Sequence, residues 1–196
     1  MLILNWLEKT VDQLYALLPR QKPAITDIKK ARIIAHRGAH NGRKLIENTM
    51  PAFQKAHELG CWGIELDIHE TKDQAIVVNH DPTLNRIWNR DIQINQATLA
   101  DLKAAAGDIP TLEEVVSAFA GQMHLFIEIK EPLSNDSKLF ELLKHLKPIK
   151  DYHLISLDHQ ILKDLHSFPK DALLLVADFN RTAKYIRESI ENSYGG

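Results

Sequence analysis

The sequence predicts a mostly parallel α/β sheet, either doubly wound or closed as a (β/α)8 barrel. Three observations lead there. Short β-branched runs alternate with helical stretches from residue 31 onward. The runs are apolar enough to be buried on both faces, as parallel strands are. Ionisable residues gather at the ends of four of them, where parallel α/β folds bind ligands. About six strands can be counted, whereas a barrel of this type usually needs about 250 residues and rarely fewer than about 200. The expected barrel is therefore incomplete by roughly two strands.

The elements follow in order. Ile3, Leu7, Val11, Leu14 and Leu18 recur at helical spacing over residues 2–18, and Pro19 and Pro23 end that helix in a linker. Residues 1–30 thus form an N-terminal amphipathic extension and 31–196 the main domain. The stripe is expected to pack on the protein's own body. A partner helix or a membrane surface is the alternative, which Trp6 favours and Glu8 and Asp12 oppose. Strands are expected at 33–35, 63–68, 75–78, 125–129, 154–157 and 173–176, with helices near 49–59, 97–106, 111–120, 137–146, 159–166 and 180–191. Thr111 and Glu114 have capping-box spacing behind Pro110. Only Glu70 to Gln74 separates the second and third strands, too little for a helical crossover, so a tight turn is expected there. Ser193-Tyr194-Gly195-Gly196 reads as a loop entering another strand.

Composition narrows the function. With 44% hydrophobic residues, 26% charged residues and a net charge of −2, the chain reads as one soluble domain without an electrostatic reason to bind nucleic acid or anionic lipid. The single Cys61 cannot form an intramolecular disulfide, and no apolar run reaches transmembrane length. The N-terminus lacks the basic start of a secretory signal, so a cytoplasmic location is expected.

The chemistry sits at the strand ends: His36-Arg37, Glu65 and Asp67, His80-Asp81, and Glu128 with Lys130. Unpartnered charges buried there would cost several kcal/mol each. Glu65 and Asp67, two apart on a strand, point to one side, and Glu128 has a similar place on a later strand. Three crowded carboxylates repel unless a cation lies among them, and hard oxygen ligands favour Mg²⁺ or Ca²⁺. Pairing with Arg37 and Lys130 and no metal is the alternative. His36 and His80 suit a pair that takes one proton and gives another. Arg37 and Lys130 suit a phosphate. His57, His124, His145, His153, His159 and His166 are read as surface or hydrogen-bonded core residues; His40 and His69 stay open. Walker, G-x-G-x-x-G and H-E-x-x-H motifs are absent, and Cys61 reads as core. The set suits phosphoryl transfer or phosphodiester hydrolysis.

His36-Arg37-Gly38, Glu47-Asn48-Thr49 with Ala52, Gly60, Glu65-x-Asp67, Thr71-x-Asp73, His80-Asp81 and Glu128-Ile129-Lys130 follow one another in the chain. That succession resembles the glycerophosphodiester phosphodiesterases over about residues 31 to 157. The resemblance implies a TIM-barrel hydrolase of lipid and glycerol metabolism that releases sn-glycerol 3-phosphate and an alcohol. It implies Glu65, Asp67 and Glu128 as metal ligands, His36 and His80 as general acid and base, and Arg37 and Lys130 on the phosphate. Glu47 would order Arg37 or join the metal shell. The family's usual scheme has a substrate hydroxyl vicinal to the phosphate attack first, and water then opens the cyclic phosphate. Leu84-Asn85-Arg86 runs into Ile87-Trp88-Asn89 where the family commonly has Leu-x-Arg-Thr, and the family's last strands have no counterpart. Two other functions remain open at this point: a truncated, inactive barrel that binds phosphorylated ligands or a partner (a second copy among them), and a related barrel phospholipase.

Overall fold

The computed structural model describes residues 22–42, 44–177 and 182–196, so the helix expected over 2–18 lies outside the described residues. The chain divides into two compact units, Met1–Ala31 and Arg32–Gly196. In the first, helix α1 spans Ile25–Lys30. The second is built on one six-stranded sheet in which β1 (Ile34–His36), β2 (Gly63–Glu70), β4 (His124–Ile129), β5 (Tyr152–Ser156) and β6 (Leu173–Leu175) run parallel in that spatial order. Strand β3 (Ile76–Val78) stands off this path and pairs antiparallel with β2.

The expected tight turn between β2 and β3 is present. Gln74 takes a left-handed backbone at φ 61°, and Thr71 Oγ1 accepts the Ala75 N–H at 2.9 Å. The sheet thus has the expected six strands among the described residues, five of them on the parallel path and β3 beside it. After α2 (Met50–Glu58), the segment between β3 and β4 carries α3 (Asn85–Trp88), a 3₁₀ turn at Ile94–Gln96, α4 (Leu99–Ala105) and α5 (Leu112–Phe119). Helices α6 (Ser137–Leu143), α7 (His159–Lys163) and α8 (Thr182–Asn192) follow the later strands. The capping box read from Thr111 and Glu114 is formed, with the Glu114 N–H on Thr111 Oγ1 and Glu114 Oε2 on the Thr111 N–H. Thr98 and Asp101 make a second one on α4.

The alternation of side chains along the strands decides between the two expected architectures. Ile64, Leu66 and Ile68 of β2, Leu125, Ile127 and Ile129 of β4 and Leu154 of β5 all enter one core. Phe53 and Ala56 of α2, Val115 and Phe119 of α5, and Leu139 and Leu143 of α6 complete it. The helices thus pack on a single face of the sheet, as in a barrel and unlike a doubly wound fold. Residues of opposite parity face what would be the barrel interior, and there β2 carries Glu65, Asp67 and His69 instead of apolar groups.

A second, smaller core of Val77, Leu84, Ile94, Leu102 and Ile109, with Trp88 packed against it, lies under the segment that follows β3. That segment returns to its origin, since the Val78 N–H donates to the Pro110 carbonyl at 2.8 Å and Val77 bridges Thr111. At the far edge of the sheet, Gly195 and Gly196 run along β6, bonded to Leu173 and Leu175 at 3.0 Å. A Cβ on Gly195 would collide with the Asp171 carbonyl.

On the interior face, Trp62 stacks on His124 with ring centroids 4.5 Å apart, and His124 Nε2 lies 2.8 Å from His153 Nδ1. The Lys150 carbonyl, 3.0 Å from His124 Nδ1, fixes a proton on that nitrogen, so Nε2 accepts from His153. Both imidazoles are thus hydrogen-bonded core residues, as read. Burial lowers the pKa of each against the opposing pull of Asp151 on His124 and Asp171 on His153, with Arg32 also disfavouring charge on His124. The unfolded chain therefore binds protons here before the native state does, and stability present above about pH 6.5 drains away as the pH falls. His153→Phe is expected to flatten the pH 5–7 dependence of the urea midpoint; an unchanged slope contradicts this assignment.

Candidate active site

The site grows from how β2 shares one of its edges. β1 pairs with the first half of β2, ending with His36 opposite Glu65, and β3 pairs with the second half, ending with Val78 opposite Ile68. The two strands approach head-on along that edge and stop on either side of Asp67. A histidine stands at the end of each, His36 as the last residue of β1 and His80 just after β3. The Asn79 N–H donates to the Asp67 carbonyl at 3.0 Å on the β3 side. Asn48 fills the gap between the strands: its Nδ2 donates to Asp67 Oδ2 at 2.8 Å, and its Oδ1 receives the Asp67 N–H at 3.4 Å. Asn48 and Arg37 both adopt φ 54°, a left-handed backbone that non-glycine residues rarely hold without a local reason. Gly38 beside them is required sterically, since a Cβ would meet Ala52 at 2.8 Å.

On the other edge of β2, Glu128 of β4 lies opposite Asp67. Ligand atoms of Glu65, Asp67 and Glu128 all fall within 4.8 Å of one another, and all three residues are buried. His36 Nε2 is 3.7 Å from Glu65 Oε2, which also accepts the Arg37 N–H at 3.0 Å. Arg37 Nε reaches Asp67 at 3.2 Å, and Lys130 Nζ reaches Asp67 at 3.0 Å and Glu128 at 2.9 Å. The pairing alternative is thus partly realised, but it leaves Glu65 Oε1 buried with no hydrogen-bond partner. Burial, followed by the neighbouring Asp67 charge, pushes the Glu65 carboxyl up to about 8. Burial also raises Glu128 despite Lys130. When all three are ionised they exceed Arg37 and Lys130 by one negative charge, and with the orphaned oxygen they form a donor set that fits a hard divalent cation.

Glu47 turns away from this cluster. Its Oε1 accepts from Arg37 Nη1 at 3.0 Å and from Arg86 Nη2 at 2.7 Å, and the two guanidiniums, Arg86 foremost, hold its carboxyl down to about 2. Of its two expected roles, ordering Arg37 is the one the geometry displays. His80 Nδ1 lies 2.7 Å from Asp81 Oδ1. Burial opposes charge on Asp81, but hydrogen bonds from Arg86 and His80 outweigh it and lower its pKa. For His36, burial and then Arg37 lower the pKa, and His40 adds to the effect. His69, in phase with Glu65 and Asp67, sits with Nε2 3.1 Å from the His80 carbonyl and Nδ1 3.4 Å from Glu131. Cys61 packs partly buried against the main core.

Seven of the eight residues selected from the sequence are linked directly by these contacts, and His80 joins them through Asp81 and Arg86. Asn48 and Arg86 were given no role from the sequence, and Asp81 was placed at the rim with His80 but given none. Their positions beside Glu47, beside His80 and after Leu84-Asn85 were the available signal.

The comparisons agree with this geometry. Residues 36–177 match the model of the glycerophosphoryl diester phosphodiesterase family. A glycerophosphodiester phosphodiesterase of Caldanaerobacter subterraneus is 36% identical over 154 residues, covering 69% of this chain and 62% of that protein. One from Bacillus subtilis is 30% identical, covering 73% of this chain and 54% of that protein. Among solved structures, the glycerophosphodiester phosphodiesterase of Thermotoga maritima superposes with a TM-score of 0.67 at 28% identity, over 84% of this chain and 71% of that one. The chain therefore spans 62% and 54% of the length of these two curated relatives. No described helix is long and apolar enough to cross a membrane. By the matched model, the shared identity and the common barrel architecture, the chain belongs to the glycerophosphoryl diester phosphodiesterase family.

Proposed function

We propose that the protein hydrolyses glycerophosphodiesters to sn-glycerol 3-phosphate and an alcohol in a metal-dependent reaction. The observation that carries this reading is the buried Glu65–Asp67–Glu128 cluster, with its unpartnered Glu65 oxygen, set beside His36 and two cationic side chains. Glu65, Asp67 and Glu128 would hold Mg²⁺ or Ca²⁺, which supplies neutralisation of phosphate charge and acidification of the attacking hydroxyl. Arg37 and Lys130 bind the phosphate oxygens and orient the diester. His36 and His80 act as the acid and base: one takes the proton of the vicinal substrate hydroxyl, and the other protonates the departing alcohol. Asp81 holds a proton on His80 Nδ1, which leaves Nε2 as the exchanging atom. The resulting cyclic phosphate is opened by water with the two roles reversed. The sole cysteine and the small-molecule substrate fit a cytoplasmic setting.

With Mg²⁺ or Ca²⁺, purified protein is expected to release glycerol 3-phosphate from glycerophosphocholine or glycerophosphoethanolamine, and chelation is expected to stop it. Calorimetric binding of these compounds without turnover would replace this reading with that of an inactive, ligand-binding barrel. Cleavage of intact lipids alone would replace it with that of a phospholipase.

A further inference from the structure

We propose that Arg86 is a positioning residue that ties the phosphate-binding Arg37 and the proton-transferring His80 into one arrangement through two carboxylates. The inference rests on the phosphodiesterase reading above and deepens it. One guanidinium grips both acids: Nε donates to Asp81 Oδ2 at 2.6 Å and Nη2 to Asp81 Oδ1 at 3.2 Å. Nη2 also donates to Glu47 Oε1 at 2.7 Å, and Nη1 to Glu47 Oε2 at 3.2 Å. Beyond each acid stands a group of the site, His80 at 2.7 Å from Asp81 and Arg37 at 3.0 Å from Glu47. An unbroken series of polar contacts therefore runs from His80 through Asp81, Arg86, Glu47 and Arg37 to Asp67.

This series crosses between two loops that leave the sheet from opposite directions, one after β1 and one after β3. Without Arg86, Glu47 and Asp81 would face each other as like charges, and each would release its catalytic neighbour to other rotamers. A lysine cannot replace it, because an ammonium lacks the fork that serves two carboxylates at fixed angles. The mount is firm. Arg86 lies on α3, where Trp88 Nε1 donates to Asn79 Oδ1 at 3.1 Å and Trp88 packs on the smaller core. The Arg86 side chain is nonetheless 46% exposed, and ion pairs this open to water contribute little to global stability. Loss of Arg86 should therefore appear in catalysis and in His80, with little change in unfolding.

The test compares Arg86→Ala and Arg86→Lys with Lys103→Ala, which breaks only the surface pair to Glu114. Wild-type protein labelled with ¹⁵N-histidine is expected to show His80 as the Nδ1–H tautomer, its signal identified by loss in His80→Asn. Both Arg86 variants are expected to show mixed His80 tautomers at an unchanged unfolding midpoint. With glycerophosphocholine and Mg²⁺ or Ca²⁺, both should lose about 10–100-fold in kcat/KM, through lower kcat and higher KM together. Added ethylguanidinium should restore part of the Arg86→Ala rate and none of the Arg86→Lys rate, while Lys103→Ala matches wild type. Full activity in Arg86→Ala overturns the proposal. So does a loss of rate with the His80 tautomer unchanged and no response to ethylguanidinium. If the wild type itself turns nothing over, the phosphodiesterase reading fails, and the His80 tautomer alone decides the role of Arg86. Should Arg86→Ala not fold, Arg86→Lys, which keeps the charge, carries the same spectroscopic test.

Discussion

Changing Asp67 to asparagine is expected to remove metal binding and turnover together, with kcat falling by at least about 1000-fold, the scale of several kcal/mol of lost charge stabilisation. Asp67 is fully buried and lies at the centre of the site, within reach of Arg37, Lys130 and Asn48. An amide there keeps the shape but removes the charge that a cation needs. It also relieves Glu65, whose carboxyl burial and the Asp67 charge push up to about 8, but it takes a buried anionic partner from Arg37 and Lys130, so the metal-free variant should be somewhat less stable than wild type while still folding. The distinguishing measurement is thermal unfolding with and without Mg²⁺ or Ca²⁺, paired with calorimetric titration. Wild type should gain stability as the cation binds the native state, and Asp67→Asn should gain none. If Asp67→Asn binds the cation as wild type does, the cluster of Glu65, Asp67 and Glu128 is not the metal site.

His36→Ala carries the second large effect, a drop in kcat of about 100- to 10,000-fold, the usual contribution of a positioned acid or base. The His36 side chain is 68% exposed and touches the cluster only through Glu65 at 3.7 Å. Folding and cation binding should therefore survive the change, and KM should move little because Arg37 and Lys130 still hold the phosphate. That combination separates a proton-transfer role from a structural one. A variant that retains the wild-type rate would remove His36 from the chemistry.

The sheet was legible because burial on both faces leaves a plain signature. Gly63 to Ile68 alternates Ile64, Leu66 and Ile68 with Glu65 and Asp67, and that one segment encodes both the core and the carboxylates. Glu128 and Lys130 were legible for the same reason. The return of β3 was legible from the connection rather than the strand, since Glu70 to Gln74 is too short for a helical crossover and a tight turn leads back antiparallel to β2. Expected helices also ended short, as in α7, which stops at Lys163 rather than near 166. Asn48, Asp81 and Arg86 reach the site through loop geometry, which periodicity does not report. Arg86 in particular meets Glu47 across 39 positions of sequence.

The return of the Pro110 carbonyl to Val78 has a consequence for how such a fold can change. Residues 79–110 leave and re-enter the sheet at neighbouring positions and carry their own apolar interior. They form a cassette inserted into the barrel frame, and drift within it can reshape what the rim admits while the carboxylate cradle on β2 and β4 stays fixed.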